Sequence, residues 1–347
     1  MALLQETRYT ALSVPREFGG HGFSLLDCVA AQVALAQGSG ATAMVAAMPI
    51  QLFGLQRESR NWRPGAYARL CRAAAEGALI NSAASEPQLG SPSRGGLPQT
   101  TAVPSEDGAG WLINGRKTWV SGGEHLTYLL VYVAVSGTQG LMLVEQGTPG
   151  LVWQHTWQDA LSLRASDSHD LVLDNVFVPF DHLIDDGSVP AANIWFPLIM
   201  ASVYLGTAVA ARDCVIQFAL ERVPTALGQP IATLPKIQRQ IGEIDIALQA
   251  AHALLYEVAG SWTGKNEDRA AFWPRIAAAK SVATNTANHV TDLALRIAGG
   301  AGITRALPLE RYFRDVRAGS MQPPSGDTAL EIVGRAAIAQ SGSRVVG

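Results

Sequence analysis

The apolar residues of this chain change their period twice, which restricts the fold to helices on either side of a sheet. Up to about residue 80 they recur at helical spacing. Ser24-Leu25-Leu26-Asp27 reads as a helix start, and Val29–Gln37 (VAAQVALAQ) continues it. A second helix is expected over Ala41–Leu55, with Pro49 as a kink or break, and a third over Pro64–Glu76, with the proline in its first turn. Between about 80 and 185 the segments shorten. Gly110–Ile113, Lys117–Val120, Thr127–Val135, Gly140–Val144 and Leu171–Val178 are rich in β-branched or aromatic residues and punctuated by Gly, Pro, Asn or Asp. Asn114-Gly115 between two of these runs predicts a hairpin turn. From about 190 the long, sparsely charged segments Phe196–Glu221, Leu234–Trp262 and Pro274–Ala298 call for a helical bundle. Helix, strand, helix in that order is an α+β chain with segregated layers and a compact antiparallel β domain. No strand–GxGxxG–helix unit is present, which argues against a Rossmann nucleotide site.

Composition narrows the class further. Of 347 residues 48% are hydrophobic and 16% charged, and the net charge of −3 offers no electrostatic footprint for nucleic acid or an anionic membrane. Cys28, Cys71 and Cys214 are too far apart for a disulfide framework or a metal ligand set, so a cytoplasmic location is the expectation. The longest apolar stretches are interrupted by polar residues, which predicts no membrane span.

Several short motifs carry a resemblance in chain order. They are Val14-Pro15-Arg16-Glu17-Phe18-Gly19-Gly20-His21-Gly22; Ala84-Ser85-Glu86-Pro87-Gln88-Leu89-Gly90-Ser91; Asn114-Gly115-Arg116-Lys117-Thr118-Trp119-Val120-Ser121; Leu163-Arg164-Ala165-Ser166-Asp167; Leu173-Asp174-Asn175-Val176-Phe177-Val178-Pro179; and Ile297–Arg335, with its Gly299-Gly300 turn and Leu-Glu-Arg-Tyr-Phe-Arg-Asp run. Together they resemble the acyl-CoA dehydrogenases over nearly the whole chain. The resemblance implies an N-terminal helical domain over 1–80, a central barrel-like β domain over 81–187 and a C-terminal four-helix bundle over 188–347. It also implies FAD as cofactor and an acyl thioester, carried on CoA or a carrier protein, as substrate. An isoalloxazine ring needs a flat apolar surface and hydrogen-bond donors at its edge, so Trp119, Ser121 and Ser85 are the implied ring contacts. A tryptophan packed in the core is the alternative for Trp119. By the same resemblance Ser91 lies near the thioester ligand, although the Ser91–Gly96 segment also reads as a solvated turn. Arg222 is the implied pyrophosphate contact, displaced by two residues from the usual spacing; a cation complementing a helix C-terminus is the alternative. Arg296 stands where the family usually has Gln, and beside Gly299 and Gly300 it is expected to share the phosphate contact.

The residue that the family uses for chemistry is absent. Dehydrogenation at Cα–Cβ needs a base within hydrogen-bond reach of Cα while the flavin accepts a hydride. The two positions from which the family supplies its Glu fall on Pro323 and Phe196. Asp327 is the nearest carboxylate to the first, and it reads more readily as a helix N-cap than as the base. Asp315 and Glu331 read as structural charges, Asp315 paired within its own Arg-Asp-Val-Arg run. Three functions therefore stand side by side: a dehydrogenase of acyl thioesters with a relocated base, passing electrons to an acceptor; a flavin-dependent monooxygenase; and a non-catalytic subunit. The resemblance implies an FAD site completed by a neighbouring chain, hence a homodimer or homotetramer. Only about a dozen residues precede the Val14-Pro15 segment, so a shortened first helical bundle is expected.

Overall fold

The structure is a computed structural model that describes residues 1–89, 96–187, 193–265 and 268–345, the last four by their backbone alone. Its helices are α1 (Ala2–Glu6), α2 (Leu25–Gly38), α3 (Gly40–Ser59), α4 (Pro64–Ala75), α5 (Trp195–Glu221), α6 (Pro235–Gly260), α7 (Arg269–Ala298), α8 (Leu309–Asp315) and α9 (Gly326–Val345). Between α4 and α5 lie β1 (Ile80–Ala83), β2 (Thr101–Pro104), β3 (Gly110–Val120), β4 (Tyr128–Val135), β5 (Thr138–Glu145), β6 (Leu151–Gln154), β7 (His169–Pro179) and β8 (Leu183–Asp185). The predicted α+β order holds.

Local chemistry explains the helix limits. Ser24 and Asp27 form a reciprocal capping box that starts α2, and Pro64 occupies the first turn of α4. Pro49 does not break its helix. α3 runs through it, because most of the helix is buried and packing outweighs one lost backbone hydrogen bond. α5 is apolar on every side and buried along most of its length. By length and composition it is apolar enough to cross a membrane, contrary to the reading from the sequence, but 78% of its most apolar window is buried inside the protein. It is the central rod of the core, in contact with α2, α3, α6 and α7.

The sheet departs from expectation in three ways. Its strand order is β6-β7-β3-β2-β4-β5-β8, with β1 added to β4, so β6 and β8 are free edges and no barrel closes. It is mixed, since β1 lies parallel to β4 from Ile80↔Tyr128 to Ala83↔Val131. A four-residue buried strand carries no sequence signal of its direction. Asn114-Gly115 makes no hairpin and lies inside β3, where the pairing with β7 shifts register between Ile113 and Gly115. Asn114 Oδ1 accepts the Asn175 amide N–H at 2.8 Å, bridging that irregularity. The dipeptide thus marks a bulge, another site that glycine serves. At Gly115 φ is +154°, and a Cβ would sit 2.4 Å from Thr100 Oγ1 and 2.6 Å from Thr100 Cα. Gly115→Ala is therefore expected to cost about 1–3 kcal/mol in urea unfolding, the usual range for overpacking; a cost within experimental error would contradict the close approach.

Candidate flavin site

The site begins at the C-terminal end of β3. Lys117 pairs with Leu171 of β7 and Val120 with His169, so Thr118 and Trp119 together oppose one residue. This second bulge places Trp119 at φ +60° and leaves its side chain 60% exposed. A bulky residue in the left-handed region is a steric outlier, and such strain clusters at functional sites. The core alternative for Trp119 fails: the indole is an open apolar surface.

The neighbouring chain is clamped to this bulge. Thr118 N donates to Ser85 O at 2.9 Å, which fixes Ser85 beside it. One residue on, Glu86 takes a hydrogen bond from Lys117 Nζ at 2.6 Å, from Gln99 N at 2.7 Å and from Thr100 N at 3.0 Å. Both side chains of the ion pair are out of solvent. Burial would raise the Glu86 pKa, but these hydrogen bonds outweigh it and hold the carboxyl below its ordinary range. Ser121 Oγ, Ser168 Oγ and Ser166 Oγ form a buried row of hydroxyls at 2.7 and 2.8 Å, and Asn81 Nδ2 holds Ser121 O at 2.9 Å. Thr118 Oγ1 is buried without a hydrogen-bond partner among the described residues. An exposed indole, a row of orientable hydroxyls and an orphaned hydroxyl match what a flavin ring requires: an apolar face and edge donors. The structure thus joins Ser85, Trp119 and Ser121. The sequence reading missed the Glu86–Lys117 pair, Asn81 and the Ser166–Ser168 row, although Glu86 and Lys117 both sit inside the motifs that located the site.

The residues expected at the phosphates lie elsewhere. Gly319 is seated between Tyr204 of α5 and Thr284 of α7, where a Cβ would approach them to 2.9 and 3.0 Å. Glu58 bonds Trp195 at the start of α5, Trp262 just past the end of α6 and Arg269 at the start of α7, so α6 runs back between α5 and α7 and the C-termini of those two share the other end of the bundle. Arg222 caps α5 there, exposed and without an ion pair among the described residues. Gly299 follows α7 at φ +57°, and a Cβ on Gly299 or Gly300 would meet nothing within 4 Å. Arg296 is exposed and paired with Asp292 at 2.9 Å. This second group has no hydrogen bond to the Trp119 corner among the described residues, which fits a phosphate end held apart from the ring. Ser91 lies outside the described residues.

Neither position for the base carries a titratable side chain. Phe196 stands in the first turn of α5, where its N–H is capped by Asn193 Oδ1 at 3.0 Å; Pro323 is half-buried before a buried Pro324. Asp327 is exposed in the first turn of α9 and is not the cap: Ser325 precedes the helix, its carbonyl accepting from Ala329 N at 2.8 Å. Asp315 is not paired within its own run either. It is buried, and its Oδ1 accepts the Leu163 N–H at 2.8 Å, docking the β domain onto the bundle; Arg314 pairs instead with Glu310. Burial raises the Asp315 pKa, opposed by that amide.

Comparison with known proteins agrees with this geometry. Residues 81–176 match the acyl-CoA dehydrogenase middle domain and residues 198–322 the acyl-CoA dehydrogenase C-terminal domain. The acyl-CoA dehydrogenase homologue YdbM of Bacillus subtilis (strain 168) is 37% identical over 334 residues, covering 94% of this chain and 86% of that protein. KijD3, solved with FMN and a dTDP-linked amino-keto sugar, superposes with a TM-score of 0.82 at 26% identity, over 97% of this chain and 85% of the other. Butyryl-CoA dehydrogenase from Megasphaera elsdenii shares the fold, with a TM-score of 0.83 at 23% identity over 97% and 90%. The comparisons support a flavin as the cofactor, and the chain belongs to the acyl-CoA dehydrogenase family.

Proposed function

We propose that this chain is an FAD-dependent oxidoreductase that removes two hydrogens across the Cα–Cβ bond of an acyl thioester carried on CoA or a carrier protein. The observation that carries the reading is the Trp119 bulge, clamped to Ser85 and backed by the Ser121 hydroxyl row. Bound there, the flavin supplies the hydride acceptor. Trp119 offers the ring its apolar face, Ser85 and Ser121 face its edge, and the Glu86–Lys117 pair keeps those three in register. The α-proton then passes to a group other than the side chains at 196 and 323. Asp327 is the nearest carboxylate in sequence to Pro323, but its exposure on α9 argues against that role. Exposed Leu220, Ile246, Leu330 and Ile338 on helices of the bundle support a homodimer or homotetramer. An electron acceptor and a cytoplasmic location complete the proposal.

The apolar side chains at 196 and 323 favour one second reading, a flavin-dependent monooxygenase, since flavin oxygenation needs no base at Cα. KijD3, solved with FMN and a nucleotide sugar, is a structural neighbour consistent with it. Product analysis decides between them. A product two hydrogens lighter than an acyl-CoA, formed without oxygen, supports the dehydrogenase. A product that forms only with oxygen and a flavin reductant sinks it. Within the first outcome, Asp327→Asn is expected to change the rate of flavin reduction by no more than about threefold, far less than loss of a general base.

A further inference from the structure

A lysine lies beneath the Pro323-Pro324 segment, and the flavin reading so far gives it no work. Lys280, near the middle of α7, is fully buried. Its Nζ donates to the carbonyl oxygens of Gly319 at 2.6 Å, Gln322 at 2.9 Å and Pro324 at 2.9 Å. An ammonium has three N–H groups and no acceptor, so these three carbonyls use all of them. A neutral amine would lose one of the bonds and turn its lone pair toward a carbonyl. Burial pushes the Lys280 pKa down to about 8, and three accepting oxygens oppose that push, so the site holds a charge at neutral pH. No carboxylate pairs with it among the described residues. An apolar side chain of similar volume would fill the same space without the desolvation cost of an ammonium.

What the charge secures is one short segment. Gly319 has no room for a Cβ between Tyr204 and Thr284, so the chain is seated directly on α5 and α7. From there to Pro324 three of its carbonyls, those of Gly319, Gln322 and Pro324, accept from Lys280. The match to the family's C-terminal domain ends at Gln322, one residue before Pro323. The segment tied down by Lys280 therefore spans the end of that match.

We propose that Lys280 is a positioning residue for the flavin site, its ammonium fixing residues 319–324 as one rigid wall of it: the segment follows Asp315, whose Oδ1 accepts the Leu163 N–H at 2.8 Å, and the chain from Leu163 runs into the Ser166–Ser168 row beside Ser121. The inference rests on the flavin reading of the Trp119 corner. With the carboxylate of the base position replaced by proline, the shape of this wall is set by the backbone, and Lys280 sets the backbone. Removing it frees three carbonyls and lets the wall move, without touching any group that contacts the ring.

The test compares wild type, Lys280→Met and Lys280→Gln after loading with flavin. Thr291→Val serves as a control, since that buried hydroxyl bonds only backbone carbonyls of its own helix. Two properties are read besides thermal stability: the dissociation constant for flavin, and the rate at which sulfite adds to the bound ring, which reports access to its open face. Lys280→Met is expected to weaken flavin binding roughly tenfold, about the value of one charge-assisted hydrogen bond's worth of preorganisation, and to speed sulfite addition. Lys280→Gln should fall between it and wild type, and Thr291→Val should change stability alone. If both Lys280 variants lose stability yet keep wild-type affinity and sulfite rate, Lys280 is only a structural tie and the proposal is overturned. Failure of both variants to fold overturns it as well. If the wild-type chain binds no flavin, the flavin reading itself fails and the proposal falls with it; wild-type binding with unchanged variants rejects Lys280 alone.

Discussion

Lys117→Met is expected to destabilise the protein by about 3–5 kcal/mol, the range for breaking a buried ion pair from one side. The expectation follows from what remains. Glu86 would keep the amides of Gln99 and Thr100 but lose the ammonium at 2.6 Å, leaving a carboxylate short of charge compensation inside the protein. Lys117 lies in β3 and Glu86 beside Ser85, so the same substitution unclamps the segment that holds the flavin corner. The double variant Glu86→Gln/Lys117→Met should recover part of the loss, because no charge is then stranded. Acid exposes the same pair. The folded-state pKa of Glu86 lies below its ordinary value of 4.5. Its stabilising contribution is therefore complete above about pH 4.5 and disappears as the pH falls through the lower folded-state value. Urea titrations of wild type and Glu86→Gln at pH 7 and below pH 4.5 should converge in midpoint as the pH drops. A constant separation would contradict the pairing.

Trp119→Ala should weaken flavin binding by roughly 10- to 150-fold, the equivalent of about 1.5–3 kcal/mol for a large apolar side chain buried by its ligand. The empty protein should behave in the opposite sense. Trp119 is 60% exposed at φ +60°, so its removal takes away little packing and spares a bulky residue from the left-handed region. Flavin-free Trp119→Ala should accordingly unfold at or slightly above the wild-type midpoint, with the loss visible only once flavin is added. A variant destabilised by several kcal/mol without flavin would restore Trp119 to the core and remove the floor of the site.

Much of this is legible in the chain. The long helices α5, α6 and α7 announce themselves because their apolar spacing persists over many turns. Ser85, Trp119 and Ser121 are readable because Trp119 and Ser121 share a strand end and Ser85 sits in a short motif of its own. Pairings across distance are not readable. Lys117 and Glu86 are two charges on different segments until β3 folds beside the loop, and Lys280 meets residues 319–324 only through the packing of α7 against the end of the chain. Asn114-Gly115 misleads because the same dipeptide serves a bulge as readily as a turn, and the sheet around it decides which. Asp327 reads as a cap, but Ser325, two residues earlier, offers the same chemistry and takes the position. Arg222, Arg296, Gly299 and Gly300 gather at one end of the bundle, open to solvent, where a neighbouring chain is proposed to complete the site.

Acyl thioester oxidation is tested head-on by anaerobic mixing of the flavin-loaded protein with a panel of acyl-CoA thioesters, read as loss of the flavin absorbance band. Bleaching by at least one thioester is expected, with an unsaturated acyl product and a rate that survives Asp327→Asn. No bleaching by any thioester, together with oxygen-dependent product once the flavin is reduced independently, would rule the dehydrogenase out.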